Sequence, residues 1–419
     1  MIRLLQTKDL KEAVDIASLA YPGMLIQTDE KKKELIERME TEQNEDNGIQ
    51  FFGCFNDLGE LVGIFRVNDF EGNVNGRFQR IFGIGMVAVH LLHKKEKVAF
   101  QLLSYFHNYA RQEKVALVSL YPFNPSFYRK MGYGYGPLRY EFKFKPGEII
   151  ADGNKSRVKF LTPSDEEAIV SLYNEYAQNN HGMLKRTWKA REYIKARKTH
   201  YVGVEEGNHL VGALAFTLEP VKDSHFLHQH MIIHEWIWTH PSAYKQLASW
   251  VSSQQDQVDR VIFRTNDQSF LYSLSNPTND SNHVIPSVYH EVATTGSGIM
   301  YRITNIESFV NGTNFHGLGR PQDNIKVLLV IEDTFITEQH GLYELSYSSG
   351  QWGIQKVEDN DNIQANITIG IHDLSSWWMG CVTIESLYNC GEAKIHQINP
   401  KKLDEWFKPK NGPICFTAF

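Results

Sequence analysis

The stretch Gly83-Ile-Gly-Met-Val-Ala-Val-His-Leu-Leu-His-Lys-Lys-Glu-Lys-Val-Ala99 decides how this chain reads. Its first half belongs to an apolar run, Phe78–Val89, rich in Ile and Val, which predicts a long buried strand. Its second half passes through a lysine-rich loop into Lys94–Arg111. There Val98, Leu102, Tyr105, Phe106 and Tyr109 recur with helical spacing. A strand that feeds a helix through a short basic loop suits a ligand with a peptide-like arm and a pyrophosphate. The strand edge at Val87, Ala88 and Val89 can pair with pantetheine amides as an added strand would. The helix N-terminus, expected near Lys94, offers unpaired N–H groups and a positive dipole to phosphates, with Val98 and Ala99 also expected to contact the cofactor. Lys94, Lys95 and Lys97 add charge there. The same pattern fits an ordinary strand–helix junction with a solvated lysine turn, and alone it leaves both readings open.

Working outward, Ile2–Gln6 reads as a short strand, and Lys8–Ala20 and Asp29–Met39 as helices. Gln50–Asn56 and Leu61–Asp69 form a hairpin around Asp57-Leu-Gly-Glu60. Beyond the helix come a buried strand at Ala116–Tyr121, a short helix at Pro125–Met131 and strand-like Tyr133–Phe144. Lys145-Pro-Gly-Glu148 and Ala151-Asp-Gly-Asn-Lys-Ser156 read as a linker. The order strand, helix, hairpin, helix, strand then recurs up to Val261–Arg264, as if the first domain were repeated in degenerate form. From about Ser297 a third, α+β segment follows, with candidate strands at Lys326–Asp333, Gly341–Tyr347, Ala365–Ile369 and Lys394–Ile398. The expected domains are 1–150, 151–296 and 297–419.

A second motif, Phe127-Tyr-Arg-Lys-Met-Gly-Tyr133, lies downstream of the first. In this order and spacing the pair resembles the GNAT acetyltransferase superfamily, in which the first motif binds acetyl-CoA. The tyrosine of the second motif, here Tyr128, lies near the thioester sulfur in that family. A phenol is protonated at neutral pH and can donate to a departing thiolate. The resemblance therefore implies Tyr128 as general acid.

Over nearly the whole chain the sequence is similar to one branch, the enhanced intracellular survival (Eis) acetyltransferases. The likeness is carried by the two motifs, by Asn180-His-Gly-Met-Leu-Lys-Arg-Thr187, and by Trp236-Ile-Trp-Thr-His-Pro-Ser-Ala-Tyr244 with Gln255-Asp-Gln-Val-Asp259. Trp377-Trp-Met-Gly380 and the ending Pro413-Ile-Cys-Phe-Thr-Ala-Phe419 complete it. It implies α+β and α/β architecture: two GNAT folds, the second degenerate, then a sterol-carrier-protein-like α+β domain. It further implies hexameric assembly, acetylation of primary amines of the aminoglycoside or polyamine kind, and the terminal carboxylate of Phe419 as general base. The family loop Arg-Arg-x-Gly is replaced by Lys94-Lys-Glu-Lys97. Lysine lacks the bidentate fork of arginine, Glu96 brings a negative charge, and Lys97 stands where glycine lets phosphate approach the backbone.

The bulk properties agree with a globular enzyme. The 419 residues exceed what one core organises, and the net charge of −6, from 43 Lys+Arg against 49 Asp+Glu, argues against a nucleic-acid partner. Four cysteines without a Cys-x-x-Cys pair suggest neither zinc nor a disulfide framework, so a reducing cytoplasm is the expected compartment. The start of the chain does not read as a signal peptide, and no run reads as a membrane helix. His228 and His230 share a strand face without a third ligand, so no metal site is expected. His90 and His93, near the cofactor loop, read either as bases or as structural or solvent-facing residues, the latter being the commoner case. The Trp377-Trp378 pair reads as a lipid or ligand anchor or as core, the latter being the commoner case. Asp29, Glu30 and Glu34 either border a cationic-substrate cleft or form a solvated helix face, the latter being the commoner case.

The expected activity is direct acetyl transfer from acetyl-CoA to a primary amine, without a covalent enzyme intermediate. Two other readings remain open on the sequence. One is another tandem-GNAT acyl- or aminoacyltransferase. The other is a catalytically impaired CoA- or lipid-binding relative.

Overall fold

The computed structural model describes residues 1–45, 48–186, 199–222, 224–281, 283–286, 289–313, 321–358, 364–407, 409 and 411–419. Thr187, the last residue of the central-domain motif, lies outside them. The chain divides into two compact units. One comprises Met1–Gly136, Ile299–Lys410 and Ala418–Phe419; the other comprises Pro137–Gly298 and Asn411–Thr417.

The first unit begins with strand β1 (Ile2–Leu4), helices α1 (Leu10–Ala20) and α2 (Asp29–Glu45), and strands β2 (Ile49–Phe55), β3 (Leu61–Val74) and β4 (Arg77–Val89). Helix α3 (Val98–Gln112), β5 (Leu117–Leu120), the short α4 (Pro125–Arg129) and β6 (Gly134–Tyr135) follow. Strands β1 to β4 are antiparallel neighbours and β5 runs parallel to β4. Beyond β5 the sheet takes in Met300–Ile303, which pairs with both β5 and β6.

The amphipathic patterns explain the layering. Leu10, Ala13, Val14 and Ala17 of α1, with Leu35 and Met39 of α2, are buried with Phe51 and Ile64 in one core cluster. Val98, Leu102, Leu103, Phe106 and Ala110 of α3 are buried with Phe65, Phe82 and Val118 in another. The β-sheet thus has a helical layer and a core on each face. The third sequence segment supplies a second, five-stranded sheet in this unit. Its order is Gln351–Lys356, Gly341–Ser348, Ile325–Glu332, Ile367–Gly370 and Ala393–Ile395. Trp377 and Trp378 are fully buried there, and Trp377 Nε1 donates to Asp404 Oδ1 at 3.1 Å, so the pair is core.

The second unit repeats the plan, as its element order suggested. Val158–Leu161, His200–Glu206, His209–Pro220 and Gln229–Trp238 pair antiparallel in succession, and Val258–Thr265 runs parallel to the last of them. Two strands then close that sheet, β7 (Leu138–Phe144) and Thr294–Ser297. Tyr133–Phe144, one strand-like run in the sequence, is therefore two strands in two sheets. Pro137, which cannot donate to a ladder, stands between them. The expected first boundary near 150 and the pairing differ accordingly: the units part at Gly136 and Pro137.

Candidate active site

Strands β4 and β5 pair only over Ile81–Gly83 and Leu117–Ser119. Past Gly83 no β4–β5 pairing continues, and β4 runs on to Val89 against β3 alone. A bulge lies in this stretch: Ile64 faces Ala88 but Arg66 faces Gly85, and Met86 sits at φ 50°. One edge of Val87, Ala88 and Val89 is thus open for backbone pairing, the place where the sequence predicted a pantetheine arm. The Val87 carbonyl already accepts a hydrogen bond from the Tyr21 hydroxyl at 2.7 Å.

The basic loop differs from the expected helix start. Helix α3 begins at Val98, and Lys94–Lys97 form the turn before it. Lys95 (φ 70°) and Lys97 (φ 63°) both take the left-handed conformation, which favours glycine. Glu96 is paired with the His93 ring, Nδ1 to Oε2 at 2.8 Å, and His90 accepts from the Leu92 N–H. Both histidines therefore serve the turn, as expected. Val98 is buried, while Lys94, Lys95 and Lys97 are exposed around the helix N-terminus. The exposed lysines and the free first-turn N–H groups can receive phosphate oxygens.

The aromatic motif forms α4. Asn124 caps it by accepting from the Phe127 N–H, and Pro125 occupies the first turn. Tyr128 is 3% exposed, and its carbonyl accepts from the N–H groups of Met131 (2.9 Å) and Tyr133 (3.2 Å). Burial, aided by neighbouring Tyr21, pushes the Tyr128 phenol well above its ordinary range; burial pushes Tyr21 up to about 12. Both stay protonated at neutral pH and can act as donors.

Phe419 is brought to the same place. It shares a cavity of about 260 Å³ with Tyr128, Tyr21, Tyr121, Phe123 and Arg66. Its ring packs against Phe70 and Tyr121, with centroids at 5.2 and 5.3 Å. Two glycines of β4 make the seat. A Cβ on Gly83 would meet the Phe419 ring at 2.5 Å, and one on Gly85 would lie 3.2 Å from its carboxyl carbon.

Two pairings, one fully buried and one half-buried, hold the motif from the third sequence segment. Arg302 is completely buried; it donates to the Met131 carbonyl and, at 2.6 Å, to Asp333 Oδ2. Its guanidinium occupies the space beside Gly132 that a Cβ would take. Arg129 makes a fork with Asp373 at 3.0 and 3.1 Å and also reaches Glu392 at 3.1 Å. His372 Nε2 lies 3.1 Å from Asp373, so Arg129 sits among the three groups that offer metal-ligand atoms there.

The sequence reading missed several of these residues. Gly83 and Gly85 alternate on one strand face, a pattern that marks close approach by another group. Arg302, a lone cation inside apolar Ile299–Ile303, carries the mark of a buried charge. Arg38 and Arg66, both lining the cavity, gave no motif signal. Asp29, Glu30 and Glu34 are exposed and are not among the cavity's lining residues, consistent with a solvated helix face.

Comparison with known proteins agrees with this layout. Residues 1–136 match an acetyltransferase (GNAT) domain, residues 182–303 another acetyltransferase (GNAT) domain, and residues 306–416 a sterol carrier protein domain. No curated protein matches the chain. Among solved structures, a GCN5-related N-acetyltransferase from Anabaena variabilis superposes with a TM-score of 0.81 at 15% identity, covering 100% of both chains. A GCN5-related N-acetyltransferase from Kribbella flavida gives 0.75 at 18% identity, over 100% of this chain and 98% of the other. Eis1 from Mycobacterium abscessus gives 0.75 at 15% identity over 100% of both. At such identities the likeness establishes the fold; the domain matches carry the family. The chain belongs to the GNAT N-acetyltransferases, with two acetyltransferase domains followed by a sterol carrier protein domain.

Proposed function

We propose that the chain transfers an acetyl group from acetyl-CoA directly to a primary amine, in the cavity that Tyr128 and Phe419 share. The observation that carries this reading is the meeting of a buried, protonated phenol and the end of the chain at the point where β4 and β5 part.

Acetyl-CoA, the co-substrate implied by the GNAT domains, supplies the activated acyl group. The residues present fit it. Val87, Ala88 and Val89 offer an open strand edge, and the start of α3 with Lys94, Lys95 and Lys97 offers N–H groups and positive charge for phosphates. In the reaction the amine nitrogen bonds to the acyl carbon as the carbon–sulfur bond breaks. The Phe419 carboxylate accepts the proton that the amine gives up. Tyr128 donates its proton to the leaving sulfur and regains one from solvent, while the Phe419 carboxyl releases the amine's proton to solvent, so atoms and charge balance. No cysteine is among the cavity's described lining residues, which supports transfer without an acyl-enzyme.

Family likeness supports a hexamer in a cytoplasmic setting, and sedimentation velocity tests the assembly. Among the described residues, no helix is long and apolar enough to cross a membrane.

The test has two parts. Acetyl-CoA should raise the melting temperature, since a ligand bound only by the folded state stabilises it. A panel of amines should then release free CoA. No thermal shift at millimolar acetyl-CoA and no CoA release with any amine would contradict the proposal.

A further inference from the structure

We propose that Arg66 is the positioning residue of the terminal carboxylate: its guanidinium orients the Phe419 carboxylate and keeps it ionised as the base. This rests on the reading of Phe419 as base above and adds the group that sets its geometry.

Gly85 brings the two together. Arg66, on β3, is the cross-strand neighbour of Gly85 on β4. Side chains at paired positions share a face of the sheet. Glycine leaves its share of that face empty, and both charged groups border the gap. The position a Gly85 Cβ would take lies 3.2 Å from the Phe419 carboxyl carbon, 3.5 Å from a carboxyl oxygen and 3.6 Å from Arg66 Nη2. The guanidinium and the carboxylate thus flank one point, in the cavity that both residues line. The Arg66 side chain is mostly buried, and its Nη1 lies 4.0 Å from Glu42 Oε2. Glu42 in turn lies 3.6 Å from Arg38 Nε. A carboxylate of α2 therefore faces one end of the Arg66 fork, while the other end borders the chain terminus.

What surrounds the terminus explains the need for such a group. The Gly83 seat holds the Phe419 ring, yet a carboxylate still turns about its Cα–C bond. A base works only in a fixed relation to the proton it takes. A planar guanidinium is suited to fixing it. The other lining groups are Tyr21 at the end of α1, Tyr121 after β5, Tyr128 on α4, and apolar Met24, Ile84 and Phe123 among others. Burial among such groups favours a neutral carboxyl, which cannot take a proton. The cations among the described lining residues are Arg38 and Arg66, and Arg66 is the one beside the Gly85 gap. Its charge does not titrate in the working pH range, so it opposes that effect throughout.

The experiment follows the terminal carboxylate itself in the full-length protein. Phenylalanine labelled with carbon-13 at its carboxyl carbon marks Phe419 as the one labelled group outside a peptide bond. Its NMR shift is titrated in wild type, Arg66→Gln, Arg66→Met and Arg66→Lys. The neutral variants should raise its midpoint by about one pH unit or more, the usual effect of losing a nearby opposite charge. The lysine variant should stay close to wild type. CoA release with spermidine as acceptor should fall about tenfold or more in the neutral variants and recover in part with lysine, while acetyl-CoA affinity is kept. Arg66→Gln should cost little further in a protein extended by one glycine after Phe419, because the two changes act on one group. An unmoved midpoint in both neutral variants, wild-type turnover in either, or a loss of acetyl-CoA affinity that accounts for the loss of rate overturns the proposal. If the extension lowers turnover and the Arg66 variants do not, the base reading stands without Arg66. Normal turnover in the extended protein would remove the base reading itself.

Discussion

The ring of Phe419 fills the space where any residue but glycine would place its Cβ at position 83, with 2.5 Å between that position and the ring edge. Gly83 is thus the floor on which the last residue of the chain rests. Gly83→Ala should therefore displace Phe419 more than it destabilises the domain, because a terminal residue can move. Displacement of about 1 Å can cost ~100-fold in a positioned reaction. Turnover should fall by about that factor, with acetyl-CoA affinity kept. Wild-type turnover in Gly83→Ala would separate the seat from catalysis.

Tyr128→Phe should keep acetyl-CoA binding and lower kcat by about 10²–10⁴-fold, the usual contribution of a general acid. Burial raises the phenol's pKa, so the wild-type rate should show no loss from Tyr128 ionisation up to pH 10. Full activity in the Phe variant across pH removes Tyr128 from the mechanism.

Lys97 holds a left-handed conformation that side chains resist and glycine accepts. Lys97→Gly should stabilise the protein by up to about 1 kcal/mol, read as a rise of roughly 2 °C in Tm. A fall in Tm would mean that the lysine side chain earns more in contacts than its backbone loses.

Arg302 and Asp333 form a fully buried pair, and Arg302 also holds the Met131 carbonyl beside the Tyr128 turn. Breaking such a pair costs about 3–5 kcal/mol. Arg302→Met should destabilise by that amount, and adding Asp333→Asn should recover much of it by removing the stranded charge. Turnover in the double variant should stay low, since Met131 has lost its donor. Full turnover there would make Arg302 purely structural.

His107, buried against the Tyr133 hydroxyl at 2.9 Å, has its pKa held well below the ordinary 6.5, first by burial and then by the Arg302 charge. The unfolded chain binds a proton at this histidine below about pH 6.5, and the folded one does not. Stability from this group is complete above pH 6.5 and is lost progressively as pH falls toward the folded value. Tm should decline from pH 7 to 5, and His107→Gln should flatten that slope. An unchanged slope would assign the acid sensitivity elsewhere.

Much of the fold was legible because its segments repeat two simple periods. The apolar run to Val89, the helical stripe from Val98 and the hairpin around Asp57–Glu60 each match elements of the structure. The start of α3 was misread because apolar spacing does not report φ, and Lys95 and Lys97 turn left-handed before the helix begins. The pairing of Met300–Ile303 with Leu117–Leu120 was hidden because it joins a sheet begun nearly three hundred residues earlier, a pairing no local pattern records. Tyr128 and Phe419 came from family likeness. Arg38 and Arg66 did not emerge at all, since an isolated arginine in a sequence looks like any solvated one.

The central claim is that the carboxylate of Phe419 is the base. The most direct measurement adds one glycine after Phe419 and compares kcat with that of a protein whose intact mass ends at Phe419. The extension keeps the aromatic anchor and moves the charge by up to ~3.6 Å. The account predicts a fall in turnover of about 100-fold or more, with Tm and acetyl-CoA affinity nearly unchanged. Normal turnover in the glycine-extended protein would contradict it.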